Sequence, residues 1–179
     1  MKEEIADENV VEKSNPERQR FEKLFDWMKV DGANYDKLKM RYYTLNYRGV
    51  HASRAIKKGE TILYVPLKEI ITLEMCMDSP IGKPMFARGF RQRLISPKHS
   101  FFSTFLMEER RKGADSYYSE YIDILPKSFE AYPIFYTPEE MEMLVNTNMV
   151  KQVDNKIVDM RQDYDIICKE VPEYTQFPF

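Results

Sequence analysis

The stretch that decides the fold is Asn46-Tyr-Arg-Gly-Val-His-Ala-Ser-Arg-Ala-Ile-Lys-Lys-Gly-Glu-Thr-Ile-Leu-Tyr-Val-Pro66. It reads as a glycine turn, a strand, a second glycine turn and a second strand closed by proline. Tyr47-Arg48-Gly49 and Lys57-Lys58-Gly59 each put a glycine where a positive φ is expected, and Thr61 to Val65 is a β-branched and aromatic run. Upstream, Leu38 to Leu45 mixes tyrosines with Met and Thr in a way that suits another strand, and Leu67 to Thr72 suits a further short one. A compact meander of short antiparallel strands is the expectation. At Gly49 no Cβ intrudes, so a ligand could come close to the backbone and use the neighbouring amides as donors.

The flanks read as helix. A helix is expected from Ser14 or Asn15, where Pro16 suits the first turn and Glu17 the positive end of the dipole; Phe21, Leu24, Phe25 and Met28 mark its apolar face and Gly32 its end. After the strands, helices are expected near Leu73 to Met77, across Met85 to Leu94, and from Pro97 to Lys112, with Ser96 and Pro97 as the start of the last and Gly113 as its stop. Phe101, Phe102, Phe105 and Leu106 form a core stripe on that helix. Tyr117 to Leu125 suits another helix, Thr137-Pro138-Glu139-Glu140 is a capping box, and Met149, Val153, Ile157, Met160, Tyr164 and Ile167 repeat at helical spacing up to Pro172. The chain thus divides into residues 1–14, a flexible acidic tail, residues 15–72, a helix and strands, and residues 73–179, a helical region.

Composition narrows the class of function. Hydrophobic residues make up 43% of the 179, and the formal net charge is -2, as in a globular protein with a core. The 27 basic side chains are matched by 29 acidic ones, which gives no footprint for nucleic acid. No apolar run reaches the roughly 20 residues of a membrane span, and the acidic N-terminus is unlike a presequence, so a cytoplasmic or nuclear location is expected. Cys76, Cys168, His51 and His99 lie too far apart to read as a metal site; the histidines read as surface or turn-supporting residues and the thiols as free.

The order in Asn46 to Pro66, a Gly-Val step leading to Ala, then Ile, Gly-Glu and Val-Pro, resembles the opening motif of SET-domain methyltransferases. The helix end Leu24 to Ala33 is similar to the element before that motif in the Rubisco-methyltransferase-like and actin-histidine-methyltransferase-like class. Ser96 to Ser100, Phe105 to Glu109 and Tyr121 to Pro126 resemble the inserted helical region of the same class. The resemblance covers about residues 17 to 179 and implies an α+β fold, with short antiparallel strands of a partial SET domain followed by the inserted helices. It implies an S-adenosylmethionine-dependent protein-lysine or protein-histidine N-methyltransferase. Its cofactor would rest on the backbone at Asn46, Tyr47 and Arg48, with Gly49 permitting the approach and Arg18 or Arg20 adding a carboxylate contact. Family members often have an acidic residue where Asn46 stands and a glycine where Tyr47 stands.

The family's second half supplies an Asn-His pair and a channel-lining tyrosine, but no Asn-His dipeptide occurs here and no catalytic residue is assigned. The Phe177-Pro-Phe179 ending reads as an interruption of a longer fold. Two expectations follow. The chain is either the amino-terminal part of a methyltransferase acting on a protein substrate, or a SET-like module without catalysis that serves as a subunit, with a partner protein covering its open sheet edges.

Overall fold

The computed structural model describes residues 15–44 and 47–179. The acidic segment 1–14 and the sequence-assigned site residue Asn46 lie outside the described residues. The chain divides into two compact units: residues 15–70 with Tyr117–Ile124, and Ile71–Ser116 with Leu125–Phe179. The boundary follows Ile70, and the segment Tyr117–Ile124 returns to the first unit.

In the first unit, helix α1 spans Arg18–Val30. It starts three residues later than the sequence suggests, because the Asn15 side chain accepts from the Glu17 N–H (2.9 Å) and holds residues 15–17 in a turn. Phe21 and Leu24 are its buried positions. Gly32 ends it at φ +94, with its N–H donating to Lys29 and that of Ala33 to Met28. Strands β1 (Leu38–Tyr42) and β2 (Arg48–Ala52) then pair antiparallel, with Met40 opposite Val50 and Arg41 opposite Gly49. Gly49 therefore lies inside a strand rather than at a turn, and it has no positive φ; Gly59, at φ +88, does. The segment Thr61 to Val65 is not a strand of this sheet. Its backbone pairing is an isolated bridge between Asn34 and Tyr64, two mutual hydrogen bonds of 2.9 Å, and the Thr61 carbonyl accepts from Lys37 Nζ (2.8 Å). Leu67–Glu69 forms a 3-10 turn where a strand was expected, since Pro66 cannot continue a ladder. The short helix α6, Ser119–Ile124, completes this unit.

Helices dominate the second unit. They are α2 (Leu73–Asp78), α3 (Gly82–Ala87), α4 (Phe90–Arg93), α5 (Pro97–Lys112), α7 (Pro138–Glu142) and α8 (Asn148–Glu170). The single helix expected over Met85 to Leu94 is broken in two by Gly89 at φ +71. Cys76, Met85, Phe90, Phe101 and Thr104 are its fully buried side chains. Gly82 fits against α2 because a Cβ there would fall 1.8 Å from the Cys76 carbonyl oxygen. The expected capping box is present, the Thr137 hydroxyl accepting from the Glu140 N–H and the Glu140 carboxylate from the Thr137 N–H.

The start of α5 is capped from a distance. Ser96 makes no side-chain cap; instead the buried Asp163 of α8 accepts from Ile95 N–H (2.7 Å), Ser96 N–H (2.9 Å) and the Ser100 hydroxyl (3.2 Å). Nor does His99, which is exposed, carry that turn. A carboxylate facing the free amides of a helix start satisfies both partners, and removing it leaves two partly buried N–H groups without their acceptor. Asp163→Ala is therefore expected to lower the unfolding free energy by about 3 kcal/mol. Urea denaturation checks this, with a smaller loss for Asp163→Asn, which keeps one acceptor.

Candidate functional site

The β1–β2 register decides what the candidate site exposes. Tyr43 N–H donates to Tyr47 O (2.8 Å) and Ser53 N–H to Lys37 O (2.8 Å), so the odd-numbered positions of β1 form the hydrogen-bonded pairs. The backbone groups of Arg48, Val50 and Ala52 therefore point away from β1, and among the described residues no third strand pairs with them. Side chains sort by the same parity. Leu38, Met40 and Val50 share one face and, with Phe25 and Met28 of α1, line a cavity of about 360 Å³. Tyr43, Tyr47, Gly49 and His51 share the other face.

On that second face the rings of Tyr43 and Tyr47 stack at 5.0 Å, the Tyr43 hydroxyl is hydrogen-bonded to His51 Nε2, and Arg41 lies 5.5 Å from the Tyr43 ring. A Cβ on Gly49 would sit 3.5 Å from the Tyr43 ring. His51, read from the sequence as a surface or turn-supporting residue, is thus tied to Tyr43 within the hairpin. For a nucleotide-like cofactor the fit is divided: the outward amides of Arg48 and Val50 are suitable donors, whereas the bare face of Gly49 is already covered by Tyr43.

The arginines are sorted by Glu17. Its carboxylate pairs with Arg48, and with Arg20 at 3.4 Å. Arg48 also lies 4.5 Å over the Phe21 ring, and Arg20 donates to the Asp123 carbonyl (2.8 Å), so the two arginines fasten β2 and α6 to the start of α1. Arg18 is paired with Glu22 at 2.7 Å one turn along the helix. Of the sequence-assigned residues, Tyr47, Arg48 and Gly49 come together and Arg18 does not join them. Sequence reasoning missed Glu17, Tyr43 and His51; Tyr43 and His51 lie within one hairpin, where odd-numbered parity alone would have joined them to Gly49.

A second polar cluster lies in the same unit. Asp31 accepts from Lys68 and from the Tyr117 hydroxyl, and these bonds hold its carboxyl below the usual range. Beside it Glu69 is buried with no hydrogen-bond partner for either oxygen among the described residues, and burial pushes its carboxyl up. Trp27 packs edge-on against Tyr117 (5.4 Å) and Tyr118 (6.3 Å). Tyr117 and Tyr118 in turn meet edge-on at 5.0 Å. In the second unit, α5, α8 and residues 134, 135, 178 and 179 line an apolar cavity of about 520 Å³. Cys76 is a free buried thiol, raised by burial to about 11, and Cys168 is also free. Among the described residues no group of three or more potential ligands could hold a metal, and no helix is long and apolar enough to cross a membrane.

Because Glu17 is shared by two partly exposed arginines, Glu17→Gln is expected to lower stability by about 1 kcal/mol in dilute buffer. Most of that difference should vanish in about 1 M salt, where screening removes such pairs. Unfolding curves at the two salt concentrations check this.

No protein-family profile matches the chain. Over 151 residues it is 24% identical to the actin-histidine N-methyltransferases of Xenopus tropicalis and Homo sapiens, an alignment covering 84% of this chain and 25% of each relative. The Callithrix jacchus protein of the same name is 25% identical over the same length. The chain thus spans about a quarter of the length of the curated relatives it matches. Among solved structures, the SET domain of LSMT bound to lysine and AdoHcy superposes with a TM-score of 0.68 at 20% identity, covering 90% of this chain and 35% of that one. The chain accordingly has the fold of part of a SET domain and is similar in sequence to SET-like protein methyltransferases.

Proposed function

We propose that the chain is the amino-terminal, cofactor-facing part of a SET-type protein methyltransferase that transfers a methyl group from S-adenosylmethionine to a lysine or histidine side chain. The observation that carries this reading is the shared fold over 90% of the chain with a SET domain solved with AdoHcy and lysine. The curated relatives named for histidine methylation of actin support a protein side chain as acceptor.

When bound, the cofactor supplies an electrophilic methyl on a sulfonium. The residues of this chain bind and orient it. The outward N–H groups of Arg48 and Val50 are donors on a strand edge, and the pairing of Arg48 with Glu17 holds that edge against α1. The positive charge of Arg48 is therefore already engaged by Glu17, and in this proposal the backbone does that work. The resemblance adds Asn46 to this backbone edge, and Arg18, which pairs with Glu22, would have to leave that partner to reach a cofactor carboxylate. Methyl transfer requires a neutral nucleophile in line with the sulfonium carbon, inside a channel walled on both sides. In this proposal the start of β2 supplies one wall. The opposite one comes from residues that follow in a complete SET domain.

A second reading, a non-catalytic SET-like subunit, draws on a specific surface. Val50, Ile62, Leu63, Tyr64 and Leu67 are exposed large apolar side chains beside open strand edges, a combination that invites a covering partner protein.

Titration of the isotope-labelled chain with S-adenosylhomocysteine, followed by amide chemical shifts, separates the two. The methyltransferase reading predicts saturable shifts at residues 47–50 with a dissociation constant tighter than about 1 mM. Absence of any saturable shift at these amides would remove it in favour of the subunit reading.

A further inference from the structure

The bare face of a glycine in a strand is a ready approach for a ligand, yet at Gly49 that face is filled from within the hairpin. Arg41 is directly opposite Gly49, and Tyr43 is the diagonal neighbour two residues on, within reach for a large ring. Its ring stands 3.5 Å from where a Gly49 Cβ would be, with the hydroxyl at 3.8 Å. This is the arrangement in which an aromatic side chain covers a strand glycine and restores the packing that the missing side chain would have given.

We infer that Tyr43 is a built-in occupant of the Gly49 face, which a ligand approaching the turn from that side must displace. The inference rests on the proposed function and adds a control element to the same site.

Three contacts hold the cover in place. The Tyr43 hydroxyl is hydrogen-bonded to His51, its ring stacks on Tyr47, and its own N–H donates to Tyr47 O at 2.8 Å. The first two are side-chain contacts and can break without disturbing the ladder. Tyr43 is 38% exposed, so its ring borders solvent and has room to turn outward. Tyr47 supplies the stacking surface that steadies the cover. Displacement costs the stack and the hydrogen bond, so removing the ring should tighten binding about tenfold.

Two readouts on the full chain test this. In the free protein the Gly49 Hα protons should be shifted by the current of the Tyr43 ring, and the shift should disappear in Tyr43→Ala. In titrations with S-adenosylhomocysteine, Tyr43→Ala should bind about tenfold more tightly than the unaltered chain, with His51→Ala, which frees the hydroxyl but keeps the ring, in between. Should Tyr43→Ala fail to fold, His51→Ala carries the comparison. An unshifted Gly49, or equal and saturable affinities for all chains, overturns the inference and leaves the proposed function standing. No binding by any chain removes the proposed function and the inference with it.

Discussion

The period of two in an extended chain governs the first unit of this protein. Once Met40 is set opposite Val50 and Arg41 opposite Gly49, every other assignment in the hairpin follows. Tyr42 is buried and Arg48 meets the Phe21 ring of α1, while Tyr43, Tyr47, Gly49 and His51 gather on the opposite face. A slip of one residue would exchange these faces. It would set the buried Tyr42 in solvent and turn the outward amides of Arg48 and Val50 into the ladder. Register is thus both the folding constraint and the feature that gives the candidate site its donors.

Charge placement shows the same economy at different depths. Asp163 is buried but fully used, because a helix start gives it two N–H donors and a hydroxyl. Glu17 is partly exposed and shared by two arginines, a weaker and salt-sensitive tie. Glu69 is the contrasting case, a buried carboxyl with neither oxygen paired among the described residues. Burial raises its pKa, so the stability its neutral form contributes is present at low pH and lost as pH rises through that raised value.

Much of the helical framework was legible in the sequence. Gly32, Gly113, the Thr137 capping box and the spacing along α8 act through local chemistry, and local chemistry is what a sequence displays. The SET-like resemblance in Asn46 to Pro66 likewise agrees with the fold comparison. What escaped was non-local. A glycine was read as a turn at Gly49 because its strand partner, Arg41, lies across the hairpin. Ser96 was read as a cap because Asp163 is 67 positions away. Thr61 to Val65 has strand composition but only a bridge to Asn34, since propensity records a side chain's preference and not whether a neighbouring strand is present. At the candidate site, Tyr47, Arg48 and Gly49 were named from the motif, whereas the gathering of Tyr43 and His51 on the Gly49 face follows only from strand parity, and the pairing of Arg18 with Glu22 from helical spacing.

The central claim is that the hairpin turn and the start of β2 form one wall of a methyl-donor site. Ultraviolet cross-linking of S-adenosylmethionine to the chain, followed by peptide mapping, tests it most directly. The account predicts label confined to residues 42–52 and suppressed by excess S-adenosylhomocysteine. Label concentrated in the helical unit, or label that S-adenosylhomocysteine does not suppress, would contradict it.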